Sequence, residues 1–326
     1  MNSQRLCLWL VCALLPAAVE AQEFFQNKDE NPLLRGIYLP MPSDLRRDAA
    51  AGLAATLSAE NTINVEDRGS EHLFVDGEAL SLRLAYDARL GSDWRYRLSL
   101  PVTHDSGGAL DSVIERWHAW FGLQRGARPY HPRNQLSYAY SGNPSFPDNS
   151  LLLNRPQTSI GDLAAELGWF AHDDASHTLS LWGGIEAPTG QAANLTGNGA
   201  WDASIWAHAA KRYSRWHFAA ELGAVQAFGD QLFGGAARRP SVFARGAATW
   251  IAGPTWSWRL QLEAQSARVK DTQLRFLGPA IVLSAGADVR LSGRWRLQCG
   301  FTEDAAVNTA PDVTFFIGVR HGGGLR

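Results

Sequence analysis

Cysteine is scarce in this chain of 326 residues: Cys7, Cys12 and Cys299 are all it has. Cys7 and Cys12 fall in an N-terminal stretch that reads as an export signal, which leaves Cys299 alone in the expected mature chain. No intramolecular disulfide can then brace the fold, although an exported protein reaches an oxidising compartment. Lysine is scarce too, confined to Lys28, Lys211 and Lys270, and the net charge of −2 provides no basic field of the kind that draws nucleic acid. Charged residues make up 19%, below the roughly 25% of ordinary soluble domains. After the signal no apolar run approaches the ~18–20 residues that a helix needs to cross a bilayer. What remains open to an exported chain of this kind is a closed barrel of strands, because hydrocarbon tolerates only helices and barrels without edges.

The signal has Arg5 in its n-region, an apolar stretch over residues 6–15, and small residues at Val19 and Ala21 for cleavage. Residues 1–21 are therefore expected to be removed. Val11 precedes Cys12 where a lipoprotein signal has a small residue, so lipidation is not expected. Residues 22–48 form an irregular lead-in, with Asn31-Pro32, Leu39-Pro40 and Met41-Pro42. This lead-in is expected at the barrel end or inside the lumen, with a disordered tail as the alternative. Residues 49–326 would form the barrel, with an insert at 105–158.

Alternation is the dominant pattern. In residues 256–265, Trp256, Trp258, Leu260, Leu262 and Ala264 share one parity, while Ser257, Arg259, Gln261, Glu263 and Gln265 share the other. Successive side chains of a strand point to opposite faces, so the segment has one apolar and one polar face. The same alternation recurs near residues 52–65, 79–90, 94–102, 161–171, 178–187, 201–210, 216–227, 241–252, 281–291, 295–302 and 313–320. Turns at Gly91, His172, Ser214, Gly253 and Ser292 are tight; loops near Asn64, Pro188, Phe228, Arg268 and Asp304 are longer. Trp94, Trp216, Trp256 and Trp295 follow short turns, and Trp169 and Trp250 precede them. Indole favours the boundary of hydrocarbon and water. Short turns at one end, long loops at the other and aromatic girdles are features of transmembrane barrels. The fold expected is all-β, a transmembrane antiparallel up-and-down β-barrel of 12 strands, with 14 if residues 134–140 and 150–153 also span. A short amphipathic helix is expected in the extracellular insert.

The polar parity provides a set of lumen-facing candidates: Arg83, Asp87, Arg89, Arg95, Arg97, Asp162, Glu166, Glu186, Asp202, His208, Glu221, Arg259, Glu263, Asp288, Arg290 and Arg296. Both signs are present, so these side chains either pair and fill the barrel or line an aqueous path.

In the insert, Val113, Ile114, Trp117, His118, Trp120 and Phe121 recur at helical spacing, Asp111 is placed to cap the N-terminus and Gly122 to end the helix. Such a helix packs on the barrel wall or mouth, acts as a lid, or lies in the outer leaflet. Glu115 and His118 would lie on neighbouring faces, but no further ligand follows at metal-binding spacing, so no metal is expected. Arg116, Arg125, Arg128 and Arg133 are candidates for lipopolysaccharide phosphates or for solvated loop arginines. His104-Asp105-Ser106 has the residue types of a hydrolytic triad, but sequence neighbours cannot form the relay. No catalytic residue or cofactor is expected.

Several stretches resemble an uncharacterised Gram-negative family, the domain of unknown function numbered three thousand one hundred and eighty-seven. They are Gly107-Gly108-x-Leu110-Asp111-x-x-Ile114-Glu115-x-x-His118-x-x-Phe121-Gly122-Leu123, Arg128 and Pro132-Arg133-Asn134-Gln135. Asn31-Pro32-Leu33, Asp76-Gly77-Glu78, Gly161-Asp162-Leu163, Pro188-Thr189-Gly190, Glu303-Asp304 and Pro311-Asp312-Val313 fit it as well. The resemblance implies an outer-membrane barrel and brings no substrate, catalytic residue or cofactor. The expected function is an outer-membrane barrel that passes or binds a small molecule, its mouth partly closed by the 105–158 insert. The alternatives are a structural or surface-interaction barrel with a packed lumen, and a lipid-modifying enzyme. Expected partners are outer-membrane lipid, lipopolysaccharide and the barrel-assembly machinery, with the cargo unknown.

Overall fold

The alternation carries through twelve long strands that close on themselves. The computed structural model describes residues 23–43, 46–122, 127–142, 150–306 and 309–322; the expected signal, Arg125 and Leu123 lie outside them. The first three strands are β1 (Gly52–Arg68), β2 (Glu71–Leu90) and β3 (Trp94–Ser106). After the insert come β7 (Leu163–Asp173), β8 (His177–Ala187), β9 (Asp202–Tyr213), β10 (Trp216–Ala227), β11 (Ser241–Ile251), β12 (Trp256–Gln265), β13 (Ala280–Arg290), β14 (Trp295–Asp304) and β15 (Val313–Gly322). Each is antiparallel to its neighbour, and β1 pairs with both β2 and β15, so among the described residues the wall is a closed twelve-stranded barrel. Strands β7 to β15 have 10–12 residues, close to the ~9–11 that a tilted spanning strand requires.

The insert contains helix α1 (Asp111–Phe121) and three short strands, β4 (Ser137–Ser141), β5 (Ser150–Leu153) and β6 (Gln157–Ile160). The fourteen-stranded alternative is excluded: β4 and β5 form a small hairpin on β2 at the long-loop end, with His72 opposite Ser141. A second correction concerns Asn64. It lies within β1, which runs on with β2 to a turn at Gly69-Ser70, so the expected loop is a hairpin projecting beyond the other strands.

Besides a register shift between β7 and β8 at Phe170–His172, the ladder is broken at β3. β3 pairs with β7 as far as Ser99 and Ala164, then with β6 from Val102 and Ile160, so two residues of β3 face three of the opposing chain. Pro101 has no N–H to continue the ladder, and its carbonyl accepts from Gly161 (2.8 Å).

Parity sorts the faces. Leu260 is 52% exposed on the outer surface, whereas its neighbour Gln261 is 2% exposed inside. Trp94 stands beside Trp169, and Trp250 between Trp216 and Trp258, forming an exposed aromatic belt near the short turns. Trp182 and Trp206 break the pattern: they are register partners that point inward and stack with centroids 5.8 Å apart.

Candidate functional site

The lead-in is inside the barrel. Residues 23–43 are almost wholly buried, so this stretch is neither a tail nor an end ornament. The route follows from its contacts. Glu23 pairs with His208 (2.8 Å) and Arg212 near the short turns. The Phe25 N–H donates to Gln261 (2.8 Å), and the Asn27 amide to Thr302 (2.6 Å), farther up the wall. At the long-loop end the Asn31 side chain donates to the Phe276 carbonyl (2.8 Å) and accepts from the Leu33 N–H (3.0 Å). The Asn31 carbonyl then accepts from Leu34 and Arg35, closing a turn, and Pro32 inside it needs no N–H partner. The chain descends past Tyr38, whose N–H donates to Asp202 (3.2 Å), and Met41, whose N–H donates to Glu166 (3.3 Å). The Ser43 N–H donates to Glu221 (2.7 Å), and Arg47 donates to Asp93 (3.1 Å) beside a short turn, where β1 begins.

Thus an up-and-down segment occupies the lumen, and among the described residues it pairs with no wall strand. Its backbone groups are met by wall side chains instead, as buried peptide groups require. Arg97 donates to the carbonyls of Met41 (2.7 Å) and Pro42 (2.8 Å), and Arg245 to that of Pro40 (2.7 Å). Arg268 donates to the carbonyls of Leu34 and Ile37, both at 3.0 Å.

The turn of the segment is also its apolar anchor. Leu33, Leu34 and Ile37 are buried at the long-loop mouth with Leu73, Val75, Leu195, Phe233, Phe276 and Leu277. Tyr138, Tyr140 and Leu153 of the insert hairpin join this cluster, so the insert closes part of the mouth through its hairpin. Each fully buried Leu or Ile there contributes roughly 1.5–3 kcal/mol.

Most of the residues read from parity as lumen-facing meet the segment or one another. Arg83 bonds Glu30 (3.1 Å), Arg97 bonds Glu166 (2.6 Å), and Asp87 takes both Arg95 (2.5 Å) and Arg320. Arg245 lies between Glu221 (3.0 Å) and Glu263 (2.5 Å), while Glu263 accepts the Asp29 N–H (3.0 Å). Arg259 stacks on the Phe25 ring at 4.6 Å and approaches Asp288 at 3.9 Å. Asp202 accepts from Asn198, and Asp162, beside the Pro101 break, accepts the Gly190 N–H (2.6 Å). Gly161-Asp162-Leu163 and Pro188-Thr189-Gly190 are thereby joined, with Thr189 also donating to the Gly161 carbonyl (2.9 Å). Arg89, the register partner of Arg95, is exposed at the rim beside a tight turn and reaches the carbonyls of Gly91 and Ser92. Arg290 and Arg296 face each other, half-buried, close to the short-turn rim.

Sequence reasoning missed Arg245, Arg35 and Arg268. The parity of Trp250 could have placed Arg245 inside, since the two differ by an odd number of residues. Arg35 belongs to the segment and pairs with Asp105 (2.6 Å). His104 points to the opposite face and meets Thr158 (2.8 Å), which separates the members of His104-Asp105-Ser106. A cavity of about 40 Å³ remains between segment and wall, beside Lys28, Glu30, Arg83, Asp162, Glu166 and Glu186. It is room for a few waters. Among the described residues no group of three His, Cys, Asp or Glu side chains is arranged to hold a metal.

A second buried cluster lies on the outer wall, beneath the insert. Arg128 bonds Asp111 (2.8 Å), Asp76 (3.0 Å) and Asn61 (2.7 Å), with Asp312 at 3.9 Å. Glu78 accepts the N–H groups of Ala109 (2.9 Å) and Leu110, and Asp111 accepts that of Asn134 (2.7 Å). Gly108 has φ +63° and lies so close to the Glu78 carboxylate that a side chain would displace it. Asp111 was expected to cap α1. It is instead the first helical residue, after Leu110, and its carboxylate serves Arg128 and Asn134. Gly122, in the left-handed region with φ 68°, ends the helix by donating its N–H to the His118 carbonyl. Arg128 is thus buried between wall and insert, and the half-exposed Arg133 pairs with Glu115 (3.0 Å).

Burial sets the acidity of two loop carboxyls. It pushes Asp312 up to about 7 and Asp230 to about 6, the latter despite N–H groups donated by Leu232 and Phe233. At the short turn after β7, the N–H groups of His177 and Ser176 hold Asp174 well below the usual carboxylate range.

The fold resembles that of a solved outer membrane channel. An outer membrane channel from Pseudomonas putida F1 is 15% identical, with 86% of this chain and 98% of that chain covered at a TM-score of 0.56. The toluene transporter of Ralstonia pickettii is 8% identical over 90% of this chain and 92% of that one, with a TM-score of 0.43. The monoaromatic hydrocarbon channel CymD is 12% identical over 85% and 89%, at 0.40. The first of these likenesses shows the fold alone: a barrel resembling that of an outer membrane channel. No curated protein matches the chain. A family model does match it, over residues 4–322, and that match covers the strands, the lumen segment and both charge clusters: the chain belongs to the family described as protein of unknown function, DUF3187.

Proposed function

We propose that this protein is an outer-membrane barrel through which a small molecule passes, with residues 23–43 as the element that opens and closes the lumen. The observation that carries the reading is how the segment is held. It fills the lumen yet is hydrogen-bonded to wall side chains and not to wall strands. Displacing it leaves every rung of the barrel ladder in place. The wall side chains it would leave behind, among them Arg97, Arg245, Glu221 and Glu263, then face water in a charged passage of both signs. Opening requires breaking the apolar anchor at Leu33, Leu34 and Ile37, which sets the barrier at the long-loop end.

The alternative, a closed structural barrel, is favoured by the same filling, since the cavity beside Lys28, Glu30 and Arg83 is only about 40 Å³. The two differ in one measurement. Purified protein in planar bilayers is compared with a variant lacking residues 23–43, with β-structure verified by circular dichroism. On the channel reading the variant conducts steadily and the intact chain opens only in brief events. A folded variant that passes no current would leave the structural reading standing.

A further inference from the structure

Helix α1 lies against the outside of the barrel. Glu78 of β2 receives the N–H groups just before it, Asp111 bonds Asn61 of β1 (2.8 Å), and the Trp117 indole donates to Glu303 of β14 (2.7 Å). Glu78, Asn61, Val313 and Glu303 are successive register partners across β2, β1, β15 and β14. The helix therefore crosses the strands along one hydrogen-bonded row. Its eleven residues measure about 16 Å at ~1.5 Å each, and three strand spacings come to about 14 Å.

That row divides two surfaces. Toward the long loops lie the buried carboxylates and Arg128. Toward the short turns the next outward residues are Leu80, Ala59, Phe315 and Phe301, where the apolar outer surface begins. Trp117 rests on this edge, with ring centroids 4.9 Å from Phe301 and 5.4 Å from Phe315. Its neighbours at helical spacing are Val113, Trp120 and Phe121, which are 40%, 78% and 61% exposed. Ser112, Glu115, Arg116 and Ala119 occupy the opposite arc. An apolar arc continuous with the outer surface of the wall, backed by a polar arc, is the form of a helix that lies in a membrane interface.

We propose that α1 is an interfacial anchor whose Val113, Trp120 and Phe121 seat in the headgroup–acyl boundary of the outer leaflet. A lipid surface is its partner, and the carboxylate–Arg128 cluster fixes it to the wall. The inference rests on the outer-membrane reading of the barrel. Single nitroxide labels in the full chain, cysteine-free elsewhere, are placed by Trp120→Cys, Phe121→Cys, Arg116→Cys and Leu260→Cys. The protein is reconstituted in phosphatidylethanolamine–phosphatidylglycerol vesicles. The readout is relative accessibility to oxygen and to a water-soluble nickel chelate. The expected oxygen-to-nickel ratio is several-fold higher at 120 and 121 than at 116, and highest at 260. If 260 is oxygen-favoured while 120 and 121 match 116, the anchor is overturned and the barrel reading stands. If 120 and 121 are shielded from both reagents, protein covers the helix and the anchor is again overturned. If 260 is nickel-accessible, the membrane reading itself fails.

Discussion

Charge is buried on both faces of this barrel wall, and the two clusters are built differently. In the lumen, cations and anions alternate: Arg245 between Glu221 and Glu263, Arg97 on Glu166, and Asp87 between Arg95 and Arg320. Many of the remaining bonds go to residues 23–43, which are not part of the wall. On the outer face, Arg128 meets Asp76 and Asp111 directly and Asp312 at the edge of range. There every partner belongs to the wall or to the insert lying on it. The lumen cluster has these ion pairs within the wall itself, independent of residues 23–43. Among the described residues the outer cluster is centred on Arg128, which ties the insert to the wall.

The largest test of this contrast is removal of residues 23–43. The ladder should persist and conductance should rise from near zero to a steady open level, by orders of magnitude. Collapse of the barrel would show that the lumen charges need the segment and that the two clusters are alike. Next comes Arg128→Ala. Removing one partner of a buried ion pair costs about 3–5 kcal/mol. The insert should become protease-sensitive while the barrel keeps its β-structure. Arg245→Ala should cost less, because Glu221 retains His208 and the Ser43 N–H, and Glu263 retains the Asp29 N–H. Equal melting losses would erase the distinction.

A smaller effect concerns pH. Burial raises Asp312 from the usual 3.8 to about 7. A carboxyl raised on folding stabilises the native state below its unfolded value, and that stability is lost as pH rises through the folded one. The hydrogen-exchange protection of Ile63, which donates to Asp312 (3.3 Å), taken relative to the intrinsic exchange rate at each pH, should therefore fall between about pH 4 and 7. Asp312→Asn should flatten the profile. With a quarter of the side chain exposed, solvent moderates the change. Asp230, raised to about 6, should show the same sign in its loop, flattened by Asp230→Asn. The smallest effect is that of Arg133→Ala. This residue is in the same insert as Arg128, but its pair with Glu115 is solvated, so no measurable change in melting is expected. A loss comparable to that of Arg128→Ala would show that burial is not what separates them.

Much of the wall was legible because a strand has a period of two. Leu260 outside and Gln261 inside follow from alternation alone, and the Trp residues beside short turns mark one rim. The reading failed where parity ceases to decide. Arg89 has an inward parity but stands beside a tight turn, where it is exposed. Asn61, Asp76 and Glu78 have an outward parity but are buried, because the insert covers them. Trp182 and Trp206, by contrast, follow their parity inward, and the lumen segment supplies Tyr38 and Leu39 as apolar partners for their rings.

The sequence by itself pointed to a closed β-barrel with a polar interior, since strand alternation runs through the chain and no apolar run after the expected signal is long enough for a membrane-spanning helix. Tertiary structure alone decided what fills that interior and where the insert lies. Residues 23–43 carry no periodicity, and their place is set by side chains more than a hundred positions distant, such as Gln261, Thr302 and Glu221. The amphipathic pattern of α1 likewise fits a mouth or a wall equally well. Only the row from Glu78 to Glu303, assembled when β1 closes against β15, places it outside.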